Sequence, residues 1–312
     1  MILAGDIGGT KVNLALFDGN VPVKESRYES RNFSGIEEVL DVFLADNATE
    51  ISRACFGVAG QVVDGKCKLT NLSWQVESES IKQCLKVESV LLINDLVATA
   101  YGITLLSAES FEVIQKGNPV NKAMMAVVSA GTGLGQAFVV PGENGKHTVL
   151  GSEGGHCDFS PRNELETELL FFLQKKYSRV SIERVLSGPG LLDIYSFFKT
   201  KHDESGSIDY PATIVEKAIA KNSPVCEKTV ELYISLYGAL SGNLALQYLS
   251  EGGVYLGGGI APKIIPLLHE GGFMEAFLSK GRFKSYLSNI PVKVVVDEST
   301  PLLGAAQYAL VT

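Results

Sequence analysis

One device, used twice, constrains this chain more than any other feature. Residues 2–17 read "ILAGDIGGTKVNLALF": an apolar run (Ile2, Leu3, Ala4), a turn at Gly8-Gly9, then Val12, Leu14 and Leu16 alternating with Asn13, Ala15 and Phe17. Residues 123–140 repeat the design as "AMMAVVSAGTGLGQAFVV", with Gly131, Thr132 and Gly133 at the turn. Strand, glycine turn, strand is the local reading of both. The first turn is not a dinucleotide fingerprint, because its glycines are adjacent and strand-like alternation follows them instead of a helix. Neither turn is G-x-x-x-x-G-K-[ST], so a P-loop enzyme is not indicated. Two similar α/β halves, each presenting a glycine hairpin, would let both turns face one cleft.

The remaining segments fill in an α/β layout. "SGIEEVLDVFLAD" places Ser34 and Glu37 as a capping box before a helix whose Ile36, Val39, Leu40, Phe43 and Leu44 share one face. "ISRACFGVAG" and "SVLLIND" read as buried, parallel-type strands, so the first hundred residues predict a mixed sheet with helices. The chain after the second hairpin is mostly helical. "ETELLFFLQKK", "SIERVL" and "LLDIYSFF" are three segments, and Ser223 with Pro224 opens a long helix to about Ser250. "GGVYLGGGIAP" is a short strand running into a glycine corner, "VKVVVDEST" a last strand, and "TPLLGAAQYALVT" a terminal helix. A length of 312 residues suits two domains, and no low-complexity linker separates them.

Composition narrows the function classes. At 46% hydrophobic and 20% charged the chain is an ordinary globular one, and a net charge of −8 gives no broad basic footprint for nucleic acid. The five cysteines are scattered without a C-x-x-C pair, which argues against a disulfide framework or a zinc knuckle and for reduced, partly buried thiols. Asp6 interrupts the initial apolar run and no basic segment precedes it, so a signal peptide is not expected. The uncharged stretch 123–140 is long enough to suggest a membrane span, but Ser129, Thr132, Gln136 and its glycines fit a buried hairpin better. A soluble, cytoplasmic protein is expected, with no nucleic-acid or membrane partner.

Several residues are equipped for chemistry. Successive N–H groups in a glycine turn can point at one anion, and no Cβ blocks its approach. The turn at Gly8 and Gly9, with the Thr10 hydroxyl, is one such cradle, and Gly131 to Gly133 with Thr132 is a second; a plain hairpin tip is the alternative for each. Asp6, ending the first strand, is placed to hold hydrated magnesium against phosphates. Asn94 and Asp95 end a buried strand, where ligands of α/β sheets gather. There Asp95 would accept a proton from a substrate hydroxyl, or merely cap the next helix. Its pKa is taken as ordinary, about 3.9. Glu153 and His156 in "GSEGGHCDFSP" suit a polyhydroxylated ligand, or form a polar surface loop. Glu183 in "SIERVLSGPG" is a weaker candidate for the same role, and "LGGGIAP" around Gly258 offers bare backbone to a flat base.

Taken in order, "GDIGGT", "TNLSW", "IND", "AGTGLG", "GSEGGHCDF", "ERVLSGPGL" and "GGGI" resemble the bacterial glucokinase family, and the resemblance runs from Ile2 to the terminal helix. It implies the hexokinase–actin–Hsp70 type of fold: two α/β domains of actin-like, ribonuclease H-like architecture with a cleft between them. The domains would be residues 1–106, joined by the terminal helix at about 298–312, and residues 107–297. The resemblance implies ATP with Mg2+ as cofactor and glucose as substrate, phosphorylated at its 6-hydroxyl. Gly5, Asp6, Ile7, Gly8, Gly9 and Thr10, with Gly131, Thr132 and Gly133, would bind the phosphates, and Gly258 would lie by the adenosine. Asn71, Asn94, Asp95, Glu153, His156 and Glu183 would ring the sugar, with Asp95 as the base. Related ROK sugar kinases share the "DIGGTK" start but carry a cysteine-rich zinc motif absent from this sequence. Gln61 stands where the family usually has proline. A homodimer is expected, as the commonest oligomer. Rival readings are a non-catalytic sugar sensor, a sugar-independent actin-like ATPase, and a glycosidase using Glu153 with Asp158.

Overall fold

The first hairpin forms where the alternation puts it. In the computed structural model, which describes residues 1–45, 50–69, 72–202 and 206–312, β1 (Ile2–Ile7) pairs antiparallel with β2 (Lys11–Asp18). The pairing sends alternate residues to opposite faces. Leu3, Ile7, Val12, Leu14 and Leu16 enter one core, and Ile2, Ala4, Ala15 and Phe17 another. Asp6 and its cross-strand partner Asn13 lie on the second face. β3 (Val21–Glu29) extends the hairpin, and α1 (Ile36–Leu44) covers the first face with Ile36, Val39, Leu40 and Phe43. Each such burial contributes about 1.5–3 kcal/mol as an upper estimate.

The capping box is shifted by one residue. Gly35 is the N-cap of α1, so Glu38 occupies the third helical position, and its carboxylate accepts from the Ser34 N–H (2.8 Å) and hydroxyl (3.0 Å). Glu37 instead accepts from the Ser80 hydroxyl at 2.6 Å.

β4 (Arg53–Val58), the small hairpin of β5 (Lys66–Lys68) and β6 (Gln75–Glu77), α2 (Ser78–Leu85), β7 (Ser89–Asn94) and α3 (Asp95–Ile103) follow. The sheet order is β3-β2-β1-β4-β7, antiparallel on one side of β1 and parallel on the other. Chain contacts group Met1–Ala108, Gly142–Gly151 and Asp297–Thr312 into one unit, and Glu109–Pro141 with Ser152–Val296 into a second.

The second unit opens with β8 (Phe111–Gln115), β9 (Met125–Ala130) and β10 (Leu134–Pro141); the uncharged stretch is this hairpin, with Ala130 opposite Leu134. After β11 (His147–Ser152), which belongs to the first unit up to Gly151, come α4 (Glu164–Gln174), α5 (Gly188–His202), α6 (Pro211–Ile219) and α7 (Pro224–Gln247). Then follow β12 (Gly253–Gly257), α8 (Ile265–Leu268), α9 (Gly272–Leu278), α10 (Lys284–Leu287) and β13 (Val292–Val295). Strands run β10-β9-β12-β13-β8, with β9, β12 and β13 parallel. Ser223 caps α7 through the Cys226 N–H, and the fully buried Tyr237 hydroxyl donates to the Val128 carbonyl at 3.1 Å, fastening α7 to β9. "SIERVL" is not a helix but a single turn at Ile182–Arg184. Helix α5 starts at Gly188, where the Ser187 hydroxyl accepts from the Gly190 N–H at 3.1 Å.

Terminal helix α11 (Thr300–Val311) returns to the first unit and packs on α3, burying Leu302, Ala305, Ala306 and Ala309 on the second face. A Cβ at Gly304 would lie 1.7 Å from the Ala98 carbonyl oxygen, and one at Gly102 2.0 Å from that of Thr300. The two helices thus touch backbone to backbone. Among the described residues, no helix is long and apolar enough to cross a membrane.

Candidate active site

In the first unit, parallel pairing aligns the carboxyl ends of three strands: Asp6 is level with Gly57, and Val58 with Asn94. Ligands of open α/β sheets gather at that edge. Asn94, and not Asp95, is the N-cap of α3; its Oδ1 accepts from the Leu96 N–H at 3.0 Å while its Nδ2 donates to the Gly60 carbonyl at 3.2 Å. Asp95 is the first helical residue, with Oδ1 accepting from the same Leu96 N–H at 2.9 Å.

Asp95 does not titrate in the ordinary carboxylate range expected from the sequence. Burial, and then the negative charge of Asp6, raise its pKa from 3.8 to about 6, against the opposing pull of hydrogen bonds from Leu96 and Asn94. Burial also raises Asp6, opposed by Asn13, whose Nδ2 donates to Oδ2 at 3.1 Å, and by the charge of Arg27. The charge of Asp6 thus bears on Asp95 at one strand edge. Cys67 is buried, and its thiol is raised by burial and by Asp95; a Cβ on Gly60 would lie 2.8 Å from its sulfur.

The first glycine turn is pinned on both sides. The Gly8 N–H donates to the Lys11 carbonyl at 2.9 Å, the Ser30 hydroxyl to the Gly8 carbonyl at 3.1 Å, and the Ser30 N–H to the Thr10 carbonyl at 2.9 Å. Thr10 is exposed, and Gly9 follows Gly8 at the tip. Gly5 has a packing reason to be glycine: a Cβ there would lie 2.2 Å from the Phe56 ring. Ile7, the last residue of β1, is buried in the core.

In the second unit Ser129 is level with Gly257, so the turn after β9 and the corner after β12 adjoin. The Gly131 N–H donates to the Gly133 carbonyl at 2.9 Å, and Thr132 is exposed between them. Gly258 has φ +81°, and a Cβ there would lie 2.4 Å from the Ala130 carbonyl oxygen, so the fold itself demands glycine. Gly259 has no such demand: nothing lies within 4 Å of its Cβ position, and the nearest atom to that of Gly131 is the Gly259 nitrogen at 4.0 Å. These two turns form a corner of bare backbone, open to an anion or a flat ring.

Glu153 and His156 flank a short turn at Gly154–His156, both exposed, with Oε2 and Nε2 3.9 Å apart. The turn is held by Arg179, whose Nη1 donates to the His156 carbonyl and the Asp158 carboxylate, each at 2.7 Å. Glu183 is half-buried, and its Oε2 accepts from the Leu134 N–H at 3.0 Å, at the foot of the second hairpin. Asn71 lies outside the described residues. Gln61 is exposed beyond Gly60.

Asn13 and Arg179 are the supporting residues that sequence reasoning missed, whereas Gly259 belongs to the glycine corner read around Gly258. Only Asn13 had a readable signal, since a turn at Gly9 and Thr10 places it opposite Asp6 in the hairpin register. Among the described residues, no group of three His, Cys, Asp or Glu side chains is assembled to hold a metal ion. Asp6 alone is a hard oxygen donor, suited to a magnesium ion that keeps most of its water.

Comparison with known proteins shows the family of the chain. The glucokinase family model matches residues 3–312. A glucokinase of Synechocystis sp. is 40% identical, over 98% of this chain and 97% of its own length. The crystal structure of a glucokinase from an Antarctic psychrotroph superposes with a TM-score of 0.88 at 32% identity, covering 100% of this chain and 99% of that one. A glucokinase of Balamuthia mandrillaris, solved in complex with glucose, shares the fold with a TM-score of 0.84 at 22% identity, over 99% of this chain and 93% of its own. With a family model and a 40% identical relative both spanning nearly all of its length, the chain belongs to the glucokinase family.

Proposed function

We propose that this chain transfers the γ-phosphoryl group of ATP to the 6-hydroxyl of glucose, giving glucose 6-phosphate and ADP. The observation that carries the proposal is Asp95: a strand-end carboxylate raised to about 6, ionised at neutral pH yet basic enough to take a hydroxyl proton. Phosphoryl transfer asks mainly for alignment and charge stabilisation. In this mechanism Asp95 accepts the proton of the 6-hydroxyl as its oxygen attacks the γ-phosphorus. Asn94, fixed by its cap hydrogen bonds, orients a neighbouring hydroxyl. Glu153, His156 and Glu183 complete the sugar site, with Asn71 assigned to it from the family resemblance.

The segments Gly5 to Thr10 and Gly131 to Gly133 cradle the phosphates, with the N–H groups of Gly9, Thr10, Thr132 and Gly133 as donors because those of Gly8 and Gly131 are held within their own turns, and the Gly258–Gly259 corner receives the adenosine. Asp6 would hold Mg2+ through water. When bound there, the cation would supply positive charge at the phosphates. The proposed frame is the actin-like, ribonuclease H-like one, with residues 1–106 and 298–312 as one domain and 107–297 as the other. The proposed setting is the first step of glycolysis, in a cytoplasmic homodimer.

The test is ADP release from MgATP with glucose, mannose, fructose, N-acetylglucosamine or no sugar. Release with glucose above all others is expected. Tight glucose binding without turnover would mean a sensor, and equal release without sugar would mean an ATPase.

A further inference from the structure

Residues 180–188 form a strap between two parts of the second unit. At one end the Phe159 N–H donates to the Val180 carbonyl at 3.0 Å and the Ile182 N–H to the Cys157 carbonyl at 2.9 Å, and Asp158 bridges to Ser181. This end therefore carries the loop of Glu153 and His156. At the other end the Gly188 N–H donates to the Gly131 carbonyl at 2.8 Å, and Glu183 Oε2 accepts from the Leu134 N–H at 3.0 Å. The strap grips the second glycine hairpin on both sides of its turn. The Ser187 hydroxyl, donating to the Glu183 carbonyl at 2.7 Å, ties the two grips together.

Glu183 stands at the middle of this strap, and Gly133 has no side chain on the side it occupies. A Cβ on Gly133 would lie 2.7 Å from Glu183 Oε2. One carboxylate oxygen is thus committed to the hairpin, which leaves the second for a ligand. We infer that Glu183 is a positioning residue for the phosphate-binding hairpin as well as a sugar contact, so that sugar and nucleotide sites are coupled through one carboxylate. The coupling rests on the kinase reading above. A sugar hydroxyl that orders Glu183 also orders the Leu134 N–H and the turn before it, and a nucleotide that orders the turn steadies the carboxylate for the sugar.

The two halves of the role separate by substitution. In Glu183→Gln the amide oxygen still accepts from the Leu134 N–H, while the charge offered to the sugar is gone. In Glu183→Ala both are lost. ADP affinity measured by calorimetry without any sugar is expected to stay near wild type in Glu183→Gln and to weaken about three- to tenfold in Glu183→Ala, the effect of one hydrogen bond. Gly133→Ala, which pushes the carboxylate aside, is expected to weaken glucose binding measured without nucleotide by a similar factor. A sugar contact alone would leave ADP affinity equal in all Glu183 variants, and glucose affinity untouched in Gly133→Ala; either result would overturn the coupling. If the wild-type chain bound no ADP, the kinase reading itself would fall and take the coupling with it.

Discussion

The two glycine hairpins share a topology and differ in what stands beside them. Each joins a central strand to an antiparallel neighbour, with parallel strands on the other side: β2-β1-β4-β7 in the first unit, β10-β9-β12-β13 in the second. Beside the first turn lie two carboxyl groups, Asp6 and Asp95, both raised by burial. Beside the second lie bare glycine backbone at Gly131 and Gly259 and one carboxylate, Glu183, that the hairpin itself engages. One plan has thus been used for two tasks. On the proposed reading, the first edge holds the groups that react or bind a cation, and the second holds an open cradle. A glycine turn becomes a site through its neighbours.

Removing the acid from the first edge is the largest way to break this comparison. Asp95→Asn keeps the shape and the Leu96 hydrogen bond and is expected to lower kcat by on the order of 10²–10⁴, with a much smaller change in KM for ATP. A steady-state assay at saturating glucose and MgATP reads this, and a loss under about fivefold in a folded variant would remove Asp95 from the base role.

The second edge separates into glycines the fold requires and glycines it does not. Gly258→Ala, strained at φ +81° and crowded by the Ala130 carbonyl, is expected to destabilise by about 2–4 kcal/mol in urea unfolding. Gly259→Ala meets nothing within 4 Å and is expected to unfold within about 0.5 kcal/mol of wild type while raising KM for ATP. Equal stability losses in the two would erase the distinction.

The strained acid also has a signature in stability. Because the folded pKa of Asp95, about 6, lies above the ordinary 3.8, the folded state binds the extra proton between those values, and stability falls as pH rises through that window. Above about pH 6 the ionised group costs the free protein up to about 3 kcal/mol, less what solvent screens at a partly buried site. Asp95→Asn is therefore expected to raise Tm by a few degrees at pH 7.5 and to lose that advantage below about pH 4. A variant less stable than wild type at pH 7.5 would contradict this.

Much of this arrangement was legible from local pattern. The hairpins, the Ser223–Pro224 helix start and the strand-end position of Asp95 each depend on a few neighbouring residues. What the sequence hid depends on contacts distant along the chain. Asp95 departs from an ordinary acid because folding buries it and brings Asp6 toward it across β1, β4 and β7. Gly102 and Gly304 look like helix-weakening glycines until the crossing of α3 and α11 shows that no Cβ fits. "SIERVL" has a helical apolar pattern, yet it makes only a single turn at Ile182–Arg184, with the Ile182 N–H donating to the Cys157 carbonyl and the Glu183 carboxylate accepting from the Leu134 N–H, so it becomes a strap. The capping box slipped by one because glycine competes for the N-cap.

The first edge holds a carboxylate poised by burial and by its acidic neighbour. The most direct test is a titration of the Asp95 carboxyl carbon by NMR in the free protein, from pH 3 to 8, with Asp95→Asn identifying the resonance. A midpoint near 6 is expected. A midpoint near the ordinary 3.8 would contradict the account, leaving Asp95 as a plain helix-start residue beside a hairpin.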